Sequence, residues 1–119
     1  MFEILSQSTD RCLVGQFTGK PTGQEYQKFL DALEARFKTA QEVNLVMVLT
    51  SVEFYGDFDA FKKDLKFGLG EYKRVRRAAL VGNQKWIEWY TRLIGLVTPT
   101  EEKHFAEGQI EAAIAWACP

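Results

Sequence analysis

The run Val43-Asn44-Leu45-Val46-Met47-Val48-Leu49 constrains the fold of this chain more than any other segment. It is nearly continuous in β-branched and aliphatic side chains, with none of the polar alternation that a half-exposed sheet requires. It therefore predicts a central strand covered on both faces, with Met47 in the core. Coverage on both faces calls for helices on two sides of a largely parallel sheet. A chain of 119 residues has room for one core of that kind, so residues 1–119 are expected to form a single domain.

The flanking segments supply the remaining layers. Residues 2–6 alternate partly and 12–18 are β-prone, with Ser8-Thr9-Asp10-Arg11 between them as a turn, which predicts an antiparallel hairpin. Gly19-Lys20-Pro21 breaks the second strand. Thr22 followed three residues later by Glu25 is a capping-box pattern, and Tyr26, Phe29, Leu30, Leu33 and Phe37 then fall on one helical stripe. A second helix is expected from Asp57, whose carboxylate suits the positive end of a helix, and Arg77-Ala78-Ala79-Leu80-Val81 reads as another buried strand. Residues 84–97 read as a third helix ended before Pro99, Glu101-Glu102 as a loop, and Lys103-His104-Phe105 as a short edge strand. Residues 109–117 read as a last helix with Ile110, Ala113, Ile114 and Ala117 inward. The predicted class is thus α/β, in the order ββαβαβαβα, with a mixed, mostly parallel sheet, an antiparallel N-terminal hairpin and about four helices.

Composition removes several function classes. A net charge of −1 offers no long-range attraction for nucleic acid. The basic run Lys73-Arg74-Val75-Arg76-Arg77 reads as a solvated connection after the second helix. No apolar run approaches the roughly 20 residues needed to span a bilayer, and no basic segment followed by an apolar core opens the chain, so a cytoplasmic location is expected. Cys12 and Cys118 lie near opposite ends without a CxxC pattern and read as two reduced, inert thiols. His104 has no nucleophile motif to pair with and reads as structural. No metal or cofactor is implied, and no enzymatic activity is expected.

Taken together, Leu49-Thr50-Ser51-Val52-Glu53-Phe54, Asp64-Leu65-Lys66-Phe67-Gly68-Leu69, Ala78-Ala79-Leu80-Val81-Gly82, Lys85-Trp86-Ile87-Glu88-Trp89, His104-Phe105 and Ala112-Ala113-Ile114-Ala115-Trp116 resemble the SpoIIAA-like branch of the STAS superfamily over nearly the whole length. The resemblance implies a single STAS-like domain, a fold similar to that of CRAL-TRIO lipid carriers. Anti-sigma antagonists of this superfamily carry a serine at the start of the helix after the central strand, which a partner kinase phosphorylates. Here the matching segment is Gly56-Asp57-Phe58-Asp59, which has no hydroxyl to accept phosphate. Asp57 reads there either as an acidic N-cap or as a permanent negative charge.

The second and third predicted helices carry more large apolar side chains than one core-facing stripe needs. At about 100° per residue, Trp86, Tyr90, Leu93 and Val97 centre an apolar arc on the third helix that Ile87, Ile94, Trp89 and Leu96 widen to roughly 180°. On the second helix Phe67 falls opposite Phe58, among Lys63 and Asp64, with Lys62 and Lys66 also beside it. Ligands of open α/β sheets sit beyond the carboxyl ends of parallel strands. The expected ligand site is accordingly a cleft floored by Leu49 and Val81 and walled by Phe54, Tyr55, Phe58, Trp86 and Tyr90. Lys62, Lys63, Lys66, Phe67, Trp89, Leu93 and Leu96 are the expected membrane-contact residues. This reading makes the chain a non-enzymatic binding domain for an apolar or lipid-like ligand with peripheral membrane association. The alternative is a STAS-type regulatory module that uses the same surface for a protein partner or a homodimer, without a lipid.

Overall fold

In the computed structural model the described residues are 1–19, 22–50, 75–83 and 101–118, and every structural statement below concerns them. They form five strands and two helices: β1 (Phe2–Ile4), β2 (Cys12–Thr18), α1 (Gly23–Phe37), β3 (Val43–Thr50), β4 (Val75–Val81), β5 (Glu101–Phe105) and α2 (Ile110–Ala117). The strands make one sheet in the order β1-β2-β3-β4-β5. β1 pairs antiparallel with β2, and every other neighbour is parallel. The hairpin, the central strand and the edge position of β5 follow the sequence pattern. The helices expected from Asp57 and over 84–97 lie outside the described residues.

β3 is buried along almost its whole length because the sheet divides its side chains between two cores. Leu13, Phe17, Leu45, Met47, Leu49, Val75, Ala78 and Leu80 face α1, whose Phe29 and Leu33 enter the same cluster. Val14, Val46, Val48, Ala79 and Val81 face α2, with Phe105, Ala113 and Ala117. Alternation with period 2 on a strand covered on both sides accounts for the unbroken apolar run.

α1 starts where the capping box predicts. The Thr22 hydroxyl accepts from the Glu25 N–H at 3.2 Å, and the Glu25 carboxylate accepts from the Thr22 N–H at 3.3 Å. The Met1 amine lies 2.8 Å from the Glu25 carboxylate and, with the Thr22 bonds, holds its pKa below the usual value. Of the predicted stripe, Phe29 and Leu33 are buried and Leu30 and Phe37 pack at the margin. The side chain of Tyr26 is outside those described.

Phe2, Phe17 and Phe29 form a ring cluster with centroids 4.8 to 6.0 Å apart. Gly15 makes room for it, since a Cβ there would sit 2.9 Å from Cε2 of Phe2. Gly19, at φ 70°, takes a left-handed conformation at the end of β2 that a side chain would oppose.

One polar residue in the central strand has a specific task. Between the pairs Val43↔Val75 and Leu45↔Ala78, β4 contains one more residue than β3, so one backbone donor loses its ladder partner. The Asn44 side chain supplies the acceptor, taking the Arg77 N–H at 3.2 Å. Parallel pairing with β3 begins at Val75, so the strand expected from Arg77 starts two residues earlier: Val75, which is buried, and Arg76 belong to β4 and not to a solvated connection. Glu101 and Glu102 are likewise in β5 and not in a loop, since they pair with Arg77 and Ala78.

Candidate functional site

The parallel strands offer two ends, and described residues build a distinct arrangement at each. At the carboxyl end, β5 is locked to the end of β4. The His104 ring lies with Nε2 2.6 Å from the Gly82 carbonyl, which can only accept, so Nε2 carries the proton and donates it. The Gly82 N–H donates to the Phe105 carbonyl at 3.0 Å, and Asn83 exchanges two bonds with Glu107, at 3.0 and 2.9 Å. The reading of His104 as structural fits this geometry.

Glu102 lies two residues before His104 and shares its face of β5, opposite Ala78 and therefore on the α1 side of the sheet. Burial pushes its carboxyl up to about 8. At neutral pH the group is therefore largely protonated, a donor as well as an acceptor. No sequence pattern marks it, because a glutamate in a predicted loop has no reason to lose its hydration.

At the amino end, an open cleft of about 630 Å³ is lined by Thr9, Arg11, Cys12, Thr39, Gln41, Glu42, Asn44, Arg76 and Cys118, among others. Cys12 and Cys118 are joined in a disulfide across this end, with Cα atoms 5.7 Å apart. This corrects the expectation of two free thiols. In a β-α unit the helix returns antiparallel to its strand, so the end of the last helix comes back to the amino edge where β2 begins. That topological argument was the available signal, and spacing along the chain conceals it.

Arg77 fastens the same helix. Its Nη1 donates to the Trp116 carbonyl at 2.9 Å, and its guanidinium stacks 5.4 Å from the Trp116 ring. The Arg77 Nε to Glu101 contact is 3.6 Å long with a largely exposed acid, so it is worth at most about 1 kcal/mol. A hydrogen bond from a charged donor contributes about 1.5–3 kcal/mol, so the principal partner of Arg77 is α2.

The residues proposed from sequence for ligand contact (Phe54, Tyr55, Phe58, Trp86, Tyr90) and membrane contact (Lys62, Lys63, Lys66, Phe67, Trp89, Leu93, Leu96) lie outside the described residues. The two floor residues are described, and they require a correction. Leu49 belongs to the cluster under α1 and Val81 to the cluster under α2. Because Val48 is the register partner of Val81, Leu49 stands one position on and points to the opposite face. They do not share the floor of one cleft. Among the described residues there is no group of three metal-ligating side chains, and no helix is long and apolar enough to cross a membrane.

No curated protein matches the chain. Among solved structures, it is similar to an uncharacterized protein of the DUF3478 family with a SpoIIAA-like fold from Shewanella loihica. The identity is 28% and the TM-score 0.74, over 99% of this chain and 93% of that one. The model of the SpoIIAA-like family matches residues 13–118, from the second residue of β2 to the disulfide after α2. The antiparallel β1, the parallel β2 to β5 and the closing α2 are therefore features of a shared architecture, and the chain belongs to the SpoIIAA-like family of the STAS superfamily.

Proposed function

We propose that this domain is a non-catalytic interaction module of the STAS type, which docks a protein partner without a phosphorylation switch. The observation that carries this reading is the family match over residues 13–118, together with a fold shared along the full chain. The segment Gly56-Asp57-Phe58-Asp59 supports a constitutive mode of docking, since it offers no hydroxyl to a kinase. A second reading rests on the sequence alone. The surplus rings Phe67 and Trp89, beside Lys62, Lys63 and Lys66, suit a lipid-like ligand or an anionic membrane surface. A homodimer would bury the same surplus.

One set of measurements separates these readings. Native mass spectrometry of the tagged domain, purified from its source cells, reads partner, lipid and self-association together. A stoichiometric protein partner retained after lipid extraction supports the module. A copurifying lipid, with flotation on anionic vesicles that Phe67→Ser plus Trp89→Ser abolishes, supports the second reading and overturns the first.

A further inference from the structure

The cleft at the amino end combines three features: both cysteines of a disulfide in its lining, an opening to solvent and, among the described residues that line it, more arginine than carboxylate. We propose that this cleft is a thiol-exchange site, through which a small anionic thiol of the glutathione class opens the Cys12–Cys118 disulfide and releases the end of α2. This goes beyond the interaction reading and does not depend on it.

The two sulfurs have different surroundings. Cys12 is 2% exposed and belongs to the cluster containing Val14, Val46, Ala113 and Ala117, whereas Cys118 caps α2 and is only half-buried. Both line the cleft, whose volume of about 630 Å³ admits a small peptide. The attacking species in disulfide exchange is a thiolate. Among the described residues lining the cleft, Arg11 and Arg76 stand against one carboxylate, Glu42, so their field favours an anion, and guanidinium groups match carboxylates in geometry as well as charge.

The chemistry balances as follows. The thiolate attacks Sγ of Cys118, forming a mixed disulfide there as the bond to Cys12 breaks. The electron pair leaves on Cys12 Sγ, which departs as a thiolate and takes a proton from water. A second thiolate then attacks the external sulfur of the adduct, releasing Cys118 as a thiolate and the small thiol as its own disulfide. Two thiols are oxidised and one protein disulfide is reduced.

α2 is built to respond. It has eight residues, no side-chain bond at its N-cap and no basic residue in its last turn. A helix this short is not stable without tertiary anchors. Once the disulfide opens, Ala113 still anchors the middle of the helix, and the last turn is left with only the burial of Ala117 and the Arg77 bond to Trp116 in place of a covalent link. The last turn is the part that loosens.

The test uses the oxidised full chain at low ionic strength, treated with reduced glutathione or with cysteamine at equal thiolate concentration. Opening is expected to be roughly tenfold faster with glutathione. Peptide mapping should place the adduct on Cys118. Amide exchange should quicken at Ile114 to Cys118 and not in β2 or β3. The preference should shrink with added salt and disappear in Arg11→Ala plus Arg76→Ala. If that variant misfolds, the two thiols and the salt series on the unmodified protein decide the question. Free thiols in the oxidised protein, equal rates with both thiols, an adduct on Cys12, or opening only with global unfolding would each overturn the proposal.

Discussion

The two faces of the sheet are covered in opposite ways. On one, a 15-residue helix with a complete capping box lays Phe29 and Leu33 onto a core that includes Phe2 and Phe17. On the other, the described helix has eight residues and no side-chain N-cap bond, and it packs through buried Ala113 and Ala117 with Ile110, Ile114 and Trp116 partly buried beside them. Alanines let α2 approach the sheet closely but bury little area, and hydrophobic stabilisation scales with area. α1 therefore holds its place by apolar burial and its own caps. α2 adds specific fasteners to its own apolar packing: the disulfide, the Arg77 bond to the Trp116 carbonyl and the stack on its ring. Burial on one side and fasteners on the other make different demands on the solvent, and only the second side is exposed to redox conditions.

That contrast can be broken most sharply on the α1 side. Phe29→Ala, at a position 1% exposed, removes the ring that closes the aromatic cluster and should cost about 3–5 kcal/mol in urea unfolding, with or without reductant. Cys118→Ser should cost about 2–4 kcal/mol relative to the oxidised protein, because a link across 106 residues restricts the unfolded chain strongly. Adding a reductant should bring the unmodified protein close to the variant and leave the variant unchanged. Equal sensitivity of both proteins to reductant would remove the distinction between the faces.

Glu102, on the α1 face of edge strand β5, tests a third kind of burial. Its pKa is 4.5 as an unperturbed group and about 8 in the folded protein, so between those values the unfolded chain releases a proton that the folded chain keeps. Stability from this group is therefore fully present below about pH 4.5 and lost as pH rises through about 8. Glu102→Gln cannot ionise, and it should gain about 1–2 kcal/mol on the unmodified protein across that interval once partial exposure is allowed for. Thermal unfolding of both at a series of pH values checks this, and parallel curves would refute it. The smallest effect is expected at Thr22→Ala, which removes half of the capping box and should cost about 1 kcal/mol, measured by urea unfolding.

Much of the fold was legible in the sequence because it depends on local periodicity. The continuous run at 43–49, the capping box at Thr22 and Glu25 and the inward set Ile110, Ala113, Ile114 and Ala117 all state their environments within a few residues. The misreadings involve neighbours far along the chain. The basic run suggests a solvated connection through Val75 and Arg76, yet β4 begins at Val75, and at its Arg77 β3 and α2 supply partners from 33 and 39 positions away. Glu101 and Glu102 were assigned to a loop, and pairing with β4 makes them a strand. Leu49 and Val81 were placed on one floor, and the offset of one register position puts them on opposite faces. The aromatic and lysine residues of the expected ligand and membrane sites lie outside the described residues, so that part of the reading passes to the experiments above.

The layered α/β class, the hairpin, the order of the described elements and the family are legible in local pattern, since all of these follow from residues repeated over short stretches. That Cys12 meets Cys118, that Glu102 loses its hydration and that an arginine-lined cleft forms at the amino edge follow from how the strands assemble. Each of those depends on which strands become neighbours and on which face a residue falls. Pairing register sets both, and it is a property of two segments together.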